Sequence, residues 1–423
     1  MSDIKGLFDF IRRSPTAYHA TEAVRQRLLG EGYVELYESD SWELREGGKY
    51  FVTRGGSSLI AFREVSSPKG FMIAAAHTDS PAFRVKLSGE KKGVYSRLDV
   101  EKYGGMIYYS WLDRPLSVAG RVVVKTEGGA EVRLVNIDRD LVSIPSLAIH
   151  LNRTVNDGAA LNPARDMLPM YSLGEADLAT TVAESASVKK EDILSHDLFL
   201  YCRDEGRVFG ERDEFILCPR LDDLESVYAA TEGFLKADES QSMPVLAIFD
   251  NEEVGSETKQ GAASTFLRDT LSRAVASEEG YLRAIASGMM LSIDNAHAFH
   301  PNRPEMSDPQ NAPVLGGGIV VKFNASQRYA TDGISHGIFV ALCEREGIRH
   351  QRYYNRADLP GGSTLGSISD TRVSVPTVDI GFPQLAMHSA NETAAVSDLD
   401  EMISATRAFF SASISAKGNS FEF

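Results

Sequence analysis

The sequence predicts an α/β protein, a sheet flanked by helices, interrupted by a β-rich insertion. Three observations point there. Short apolar runs alternate with helically periodic stretches up to about residue 85 and again from 219 onward. Between 86 and 218, short β-rich runs and glycine turns replace that periodicity. At 423 residues the chain exceeds what a single core normally fills, so about two or three domains are expected. Strands alternating with helices imply a sheet covered by helices. The expected division is therefore a discontinuous α/β domain, 1–85 with 219–423, and an inserted domain, 86–218.

Taken in order, Ile4, Leu7, Phe8 and Ile11 follow the i, i+3, i+4, i+7 spacing of a helix. Pro15 separates them from a second helical run through Val24, Leu28 and Leu29. Tyr50–Thr53, Ser58–Phe62 and Phe71–Ala76 read as strands, the last ending on His77. In the insertion, Arg121–Lys125 and Glu131–Val135 flank Gly128-Gly129 as a hairpin, and Leu198–Cys202 with Glu214–Leu217 is expected to be a second pair. After Pro219 come a helix through Leu224, Val227, Tyr228 and Leu235, then strand runs Val245–Phe249, Met289–Ile293, Ile319–Phe323 and Val373–Ile380. A helical stripe through Ile334, Ile338, Phe339 and Leu342 lies among them, and Leu399 to Phe410 closes the chain as a helix. Gly316-Gly317-Gly318 is expected to let backbones approach closely.

Composition excludes several classes. A formal charge of −15 repels phosphate backbones and anionic head groups, so neither nucleic acid nor membrane is an expected partner. No stretch approaches the ~18 apolar residues of a span, and the charged start has no apolar signal core. A cytoplasmic protein is expected. Cys202, Cys218 and Cys343 are odd in number and lack CxxC spacing, which argues against a disulfide framework or a cysteine zinc site. No phosphate-binding lysine loop is present; the segment from Gly361 to Gly366 reads as a packing or substrate-side loop.

The chemistry lies where apolar runs end. Phe71–Ala76 leads into His77-Thr78-Asp79, Val245–Phe249 into Asp250-Asn251-Glu252-Glu253, Met289–Ile293 into Asp294, and Val373–Ile380 towards His388. Strand ends of an open α/β sheet converge on one crevice, so these residues can meet. Asp222, at a helix start, joins them or serves only as an N-cap. Any one of these side chains alone reads as a cap or solvated turn; four strand ends with the same pattern do not. Histidines and carboxylates suit a pair of zinc ions about 3.5–4 Å apart, which polarise a carbonyl and activate water. Neighbouring Glu252 and Glu253, if extended, point to opposite sides and so take separate roles, one a ligand and one a base. Asp79 is placed to orient the His77 imidazole, or caps a turn.

At these residues the chain resembles the aspartyl aminopeptidase family of dizinc metallopeptidases. The motifs are AAAHTDSPAFRVK from Ala74, LAIHLNRTVN from Leu147, CPRLDDLES from Cys218, FDNEEVGSETKQGA from Phe249, SIDNAHAFHPN from Ser292, VVKFNASQRYATD from Val320 and TVDIGFPQLAMHS from Thr377. The resemblance implies a metallopeptidase α/β domain with an inserted β-rich dimerisation domain, and dimers assembling into a homododecamer. It implies that His77, Asp222 and Asp294 hold one zinc, that Asp222, Glu253 and His388 hold the other, and that Glu252 is the general base. It sets His297, Lys322 and Tyr329 around a peptide substrate, with Lys322 pairing with an acidic first side chain. His150 is implied to reach a neighbouring subunit's substrate, or else to be a zinc ligand. The chain departs from the family's commonest pattern at GGMIYYSWLDRPL from Gly104 and at SANE after His388. Mn²⁺ or Co²⁺ accepts the same ligands as zinc. An amidase or deacylase with another pocket, and a non-catalytic metal-stabilised assembly, are the rival readings.

Overall fold

The structure is a computed structural model that describes residues 3–87, 93–158, 160–417 and 420–422. Its main sheet has nine strands, in the order Val34–Leu36, Lys49–Arg54, Ser58–Arg63, Met243–Phe249, Phe71–His77, Met289–Ile293, Thr377–Gly381, Ile319–Phe323, His350–Tyr354. The four from Met243–Phe249 to Thr377–Gly381 run parallel, and antiparallel pairings flank them on both sides.

The central strands are unbroken apolar runs because helices cover both faces. Met72, Ala74, Ala76, Leu246 and Ile248 point into one core with the helices Ile4–Arg13, Ala17–Gly30, Leu221–Lys236, Gly333–Glu346 and Val396–Ser411. Their neighbours Phe71, Ile73, Ala75, Val245 and Ala247 point into the opposite core, against the helices Phe266–Ala274 and Glu278–Ala286. Helix Leu221–Lys236, whose first turn carries Asp222, lies along Val396–Ser411. A Cβ on Gly233 would stand 2.0 Å from Thr406 Oγ1, so this helix crossing depends on a missing side chain.

A second, five-stranded sheet runs Val100–Tyr103, Ala82–Val85, Ile193–Cys202, Leu116–Thr126, Gly129–Asn136, all antiparallel. It has its own core, including Phe83, Trp111, Leu116, Val118, Leu198 and Leu200, closed by a helix Leu178–Ala186 that no sequence signal had indicated. The predicted hairpin forms, with Thr126 opposite Gly129.

Two expectations fail. Leu198–Cys202 and Glu214–Leu217 do not pair: the first lies between Leu116–Thr126 and Ala82–Val85, while Phe215–Cys218 pairs with Arg207–Phe209 and Glu392–Ala395. Both are apolar strands, and their partners were chosen by long-range packing rather than by proximity along the chain. The run Val373–Ile380 is strand only from Thr377, since Pro376 has no N–H to give a ladder. The glycine triplet behaves as expected at Gly318, where a Cβ would stand 2.3 Å from the Arg349 carbonyl oxygen; Gly316 and Gly318 also donate N–H to Asp398. Among the described residues no helix is long and apolar enough to cross a membrane.

Substituting Gly233→Leu should separate the two helices at about 1–3 kcal/mol of stability, read as a lower Tm in thermal unfolding of the metal-loaded protein.

Candidate metal centre

The four parallel strands end together. His77 closes its strand level with Phe249, so Asp250 and the following glutamates emerge beside it, and Asp294 follows Ile293 on the next strand over. Gly381 ends the fourth strand because a Cβ there would meet the Asp294 carbonyl oxygen at 1.9 Å. Asn251, at φ 68, and Gly255, at φ 99, turn the chain sharply around a 3₁₀ turn Glu252–Val254. This corrects the extended geometry assumed for the two glutamates. They do not point to opposite sides: each offers an oxygen within 4.8 Å of one His77 ring nitrogen and of the other glutamate's oxygen.

Asp222 stands at the middle. The helix N-cap is Arg220, so Asp222 lies two residues past the cap rather than at it. Oδ1 lies 3.5 Å from His77 Nε2 and Oδ2 lies 3.4 Å from His388 Nε2, while Glu253 Oε2 is also 3.4 Å from His388 Nε2. Three converging groups result among the described residues: His77 with Asp222, Asp223 and Asp294, His77 with Glu252 and Glu253, and Asp222 with Glu253 and His388. Asp223, which sequence reasoning passed over, belongs to the first. Its only signal was adjacency to Asp222; the peptide between them is cis.

The electrostatics call for cations. Burial raises Glu253 and Asp223 well above the usual carboxylate range. Burial pushes Asp222 the same way, but the neighbouring His388 and His77 imidazoles outweigh it and hold Asp222 below that range. Burial would lower His388, yet Asp222 and Glu253 raise it to about 10, and His77 is raised well above its ordinary value against its own burial by Asp223, Asp222 and Asp79. Both imidazoles are thus held towards their protonated form by the carboxylates around them. Asp222 Oδ1, Asp223 Oδ1 and Glu253 Oε1 are buried without a hydrogen-bond partner. Imidazole nitrogens with unpartnered carboxylate oxygens form a donor set that fits zinc.

Around this set, backbone groups fix orientation. His77 Nδ1 is 3.0 Å from the Asp79 carbonyl oxygen and 3.5 Å from its carboxylate, so Asp79 meets the imidazole chiefly through its backbone. Its carboxylate accepts instead from the N–H groups of Glu252 and Glu253, each at 3.1 Å, and from the Tyr103 hydroxyl at 2.7 Å. His388 Nδ1 faces the Gly105 carbonyl oxygen at 3.0 Å. Glu392 accepts from the N–H groups of His388 and Asp222. Tyr103 and Glu392 carried no sequence signal, because neither follows a strand run that ends at the crevice.

On the far side of Asp294, Lys322 is 1% exposed; its Nζ donates to the Asp294 carbonyl oxygen at 2.7 Å, lies 3.9 Å from that carboxylate and sits 5.2 Å from the centre of the Tyr329 ring. His297 is exposed, with its ring edge-on to Tyr353. His150 is exposed in the five-stranded unit and belongs to none of the converging groups.

A sequence model described as aminopeptidase I zinc metalloprotease (M18) matches residues 10–410. The chain belongs to the M18 family of zinc aminopeptidases. A probable M18 family aminopeptidase 2 from Clostridium novyi is 44% identical over 410 residues, spanning 93% of this chain and 94% of that one. Its counterpart from Pseudomonas aeruginosa PAO1 is 40% identical over 421 residues, 97% and 98% of the two chains. Among solved structures, one from the Ape4 and Nbr1 complex superposes with TM-score 0.93 at 33% identity, over 96% of this chain and 85% of that one. The mApe1 dodecamer of S. cerevisiae superposes at 0.85 and 26% identity, over 96% and 95%.

For this M18 aminopeptidase, two outcomes follow. Zinc bound at His77 and His388 would have to displace the protons that neighbouring carboxylates favour there, so affinity should rise with pH, by up to roughly tenfold per unit for each proton released; calorimetry in buffers of different ionisation enthalpy counts those protons. Stripping zinc with a chelator leaves like charges buried together, and should lower Tm by roughly 5–15 °C in differential scanning fluorimetry.

Proposed function

We propose that this M18 aminopeptidase uses two zinc ions to release an N-terminal residue, preferentially Asp or Glu, from peptides, with Glu252 as general base. The observation that carries the proposal is Asp222, one carboxylate oxygen towards His77 and the other towards His388. In this reading Asp222 would serve both ions, with His77 and Asp294 holding one and Glu253 and His388 the other. Two zincs so held polarise the scissile carbonyl and lower the pKa of water towards ~7.

The chain's own part is proton handling and positioning. With no cation counted, burial together with Asp294, Asp79 and Asp222, against His77, raises Glu252 to about 8, which suits a group that takes a proton and gives it back near neutral pH. Glu252 takes the proton of the attacking water and delivers it to the leaving amine. Asp79 holds the Glu252 and Glu253 backbone in place through their N–H groups. Lys322, buried with Asp294 as its one ion-pair partner among the described residues, at 3.9 Å, pairs in this reading with an acidic first side chain, and Tyr329 and His297 line its approach.

The five-stranded unit carries exposed Leu147, Ile149, Leu151 and Leu173, an apolar surface that supports dimerisation; assembly into a dodecamer follows the solved mApe1 particle. His150 lies on that same surface, and we assign it to a neighbouring subunit's substrate. Free, buried Cys202, Cys218 and Cys343 fit a cytoplasmic setting.

Glu252→Gln should keep zinc content and fold while kcat falls ~10²–10⁴-fold; unchanged turnover removes Glu252 as base. In a panel of aspartyl, leucyl and N-acetylated anilides, the wild type should prefer the aspartyl compound and Lys322→Ala should lose most of that preference. Faster cleavage of the N-acetylated compound, or a preference untouched by the substitution, contradicts the assignment.

A further inference from the structure

The segment from Gly361 to Gly366 lies against the residues assigned above to the first side chain. A Cβ on Gly362 would stand 3.9 Å from the Tyr329 hydroxyl oxygen, and the centre of the Tyr329 ring is 5.2 Å from Lys322 Nζ. Arg328 Nη1 donates to the Gly361 carbonyl oxygen at 3.1 Å, and Ser367 Oγ donates to the Arg328 carbonyl oxygen at 3.3 Å. Two irregular segments, 328–331 and 361–364, thus meet beside Lys322 without a helix or strand to stiffen either one.

What holds them together is one buried carboxylate. Asp379, in the middle of strand Thr377–Gly381, is 0% exposed. Its Oδ2 accepts the Ala330 N–H, its Oδ1 accepts the Thr364 hydroxyl at 2.6 Å, and its own N–H donates to Thr331 Oγ1 at 2.8 Å. Thr364 stands at the N-cap of the short helix Leu365–Ser369, where a threonine oxygen ordinarily accepts an N–H of the first turn. Here it makes no capping bond, and the hydroxyl goes to Asp379 instead. Gly366 seats that helix on the sheet, since a Cβ there would fall 2.6 Å from Ser292 Cβ and 2.9 Å from Asp379 Oδ1. A carboxylate withdrawn from water is costly unless its oxygens are hydrogen-bonded, so neither segment can drift without stranding a buried oxygen of Asp379.

We propose that Asp379 is a positioning residue for substrate selection: it clasps the Tyr329 segment and the loop 361–364 into one wall of the pocket for the first side chain, and so sets how sharply that pocket separates an acidic residue from an apolar one. This builds on Lys322 and Tyr329 meeting the acidic side chain, as proposed above. A hydrogen bond weakens steeply with distance and angle, whereas apolar contact is non-directional. A loosened wall therefore penalises an aspartyl side chain more than a leucyl one. Asp379 and Thr364 belong to none of the converging metal-binding groups, so loosening the clasp leaves the metal ligands and Glu252 in place.

The test is steady-state kinetics of the zinc-loaded enzyme on aspartyl and leucyl anilides. Thr364→Val keeps the shape of the side chain and removes the hydroxyl; it should raise KM for the aspartyl anilide about tenfold, with kcat and the leucyl KM moving by about twofold or less. Thr364→Ser keeps the hydroxyl and should restore the aspartyl KM. Thr331→Val removes the tie at the other segment and should act in the same direction, which keeps the test decisive if Thr364→Val does not fold. Equal losses on both substrates, as a merely structural role would give, overturn the proposal, and so does an aspartyl KM that neither valine substitution moves. Lys322→Ala separates the two assignments. If it abolishes the acidic preference while the valine variants spare it, the clasp alone is wrong; if the valine variants abolish the preference and Lys322→Ala spares it, the role of Lys322 falls and the clasp stands. A wild type without acidic preference overturns both.

Discussion

Asp222 shared between His77 and His388 is the contact on which the rest of the centre depends. Glu253, Asp223 and Asp294 crowd around it, with Glu392 behind, almost all withdrawn from water. Carboxylates so buried repel one another strongly unless cations and N–H donors intervene. The fold supplies the donors: backbone N–H groups of His77, Asp222, Glu252, Glu253 and His388 all end on carboxylates of this shell. Metal binding is what the remaining unpartnered carboxylate oxygens of this shell call for.

The sheet makes that crowding possible. Four adjacent parallel strands deliver their ends at one level, and each end is a rigid point set by two packed cores rather than by a mobile loop. Precision of this kind requires close backbone approaches, which is why glycine stands at 381 against Asp294 and at 233 against the neighbouring helix. The five-stranded unit is joined to the same site through Gly105, whose carbonyl oxygen faces His388, and through Tyr103, whose hydroxyl holds Asp79. Elements far apart in sequence are thus held in one hydrogen-bonded shell.

What was legible in the sequence was periodic or punctuated. Apolar runs long enough to be buried on both faces announced the central strands, and a metal-binding residue type just past each run announced the crevice. The tight Gly128-Gly129 turn announced its hairpin. The signals failed where partners were distant: Leu198–Cys202 and Phe215–Cys218 look alike as strands, and only packing sends one into the five-stranded sheet and the other to Glu392–Ala395.

The sequence by itself determined the residue types of the centre, the parallel core that gathers them and the family to which the chain belongs, because each rests on local pattern or on motif. Tertiary structure alone decided how those residues act on one another. It folded Glu252 and Glu253 into a 3₁₀ turn that brings both towards His77, and it turned the Asp79 carboxylate from the imidazole to their N–H groups. It also brought in Asp223, Tyr103 and Glu392. Orientation and hydrogen-bond partnership depend on contacts between segments hundreds of residues apart, and no local period records them.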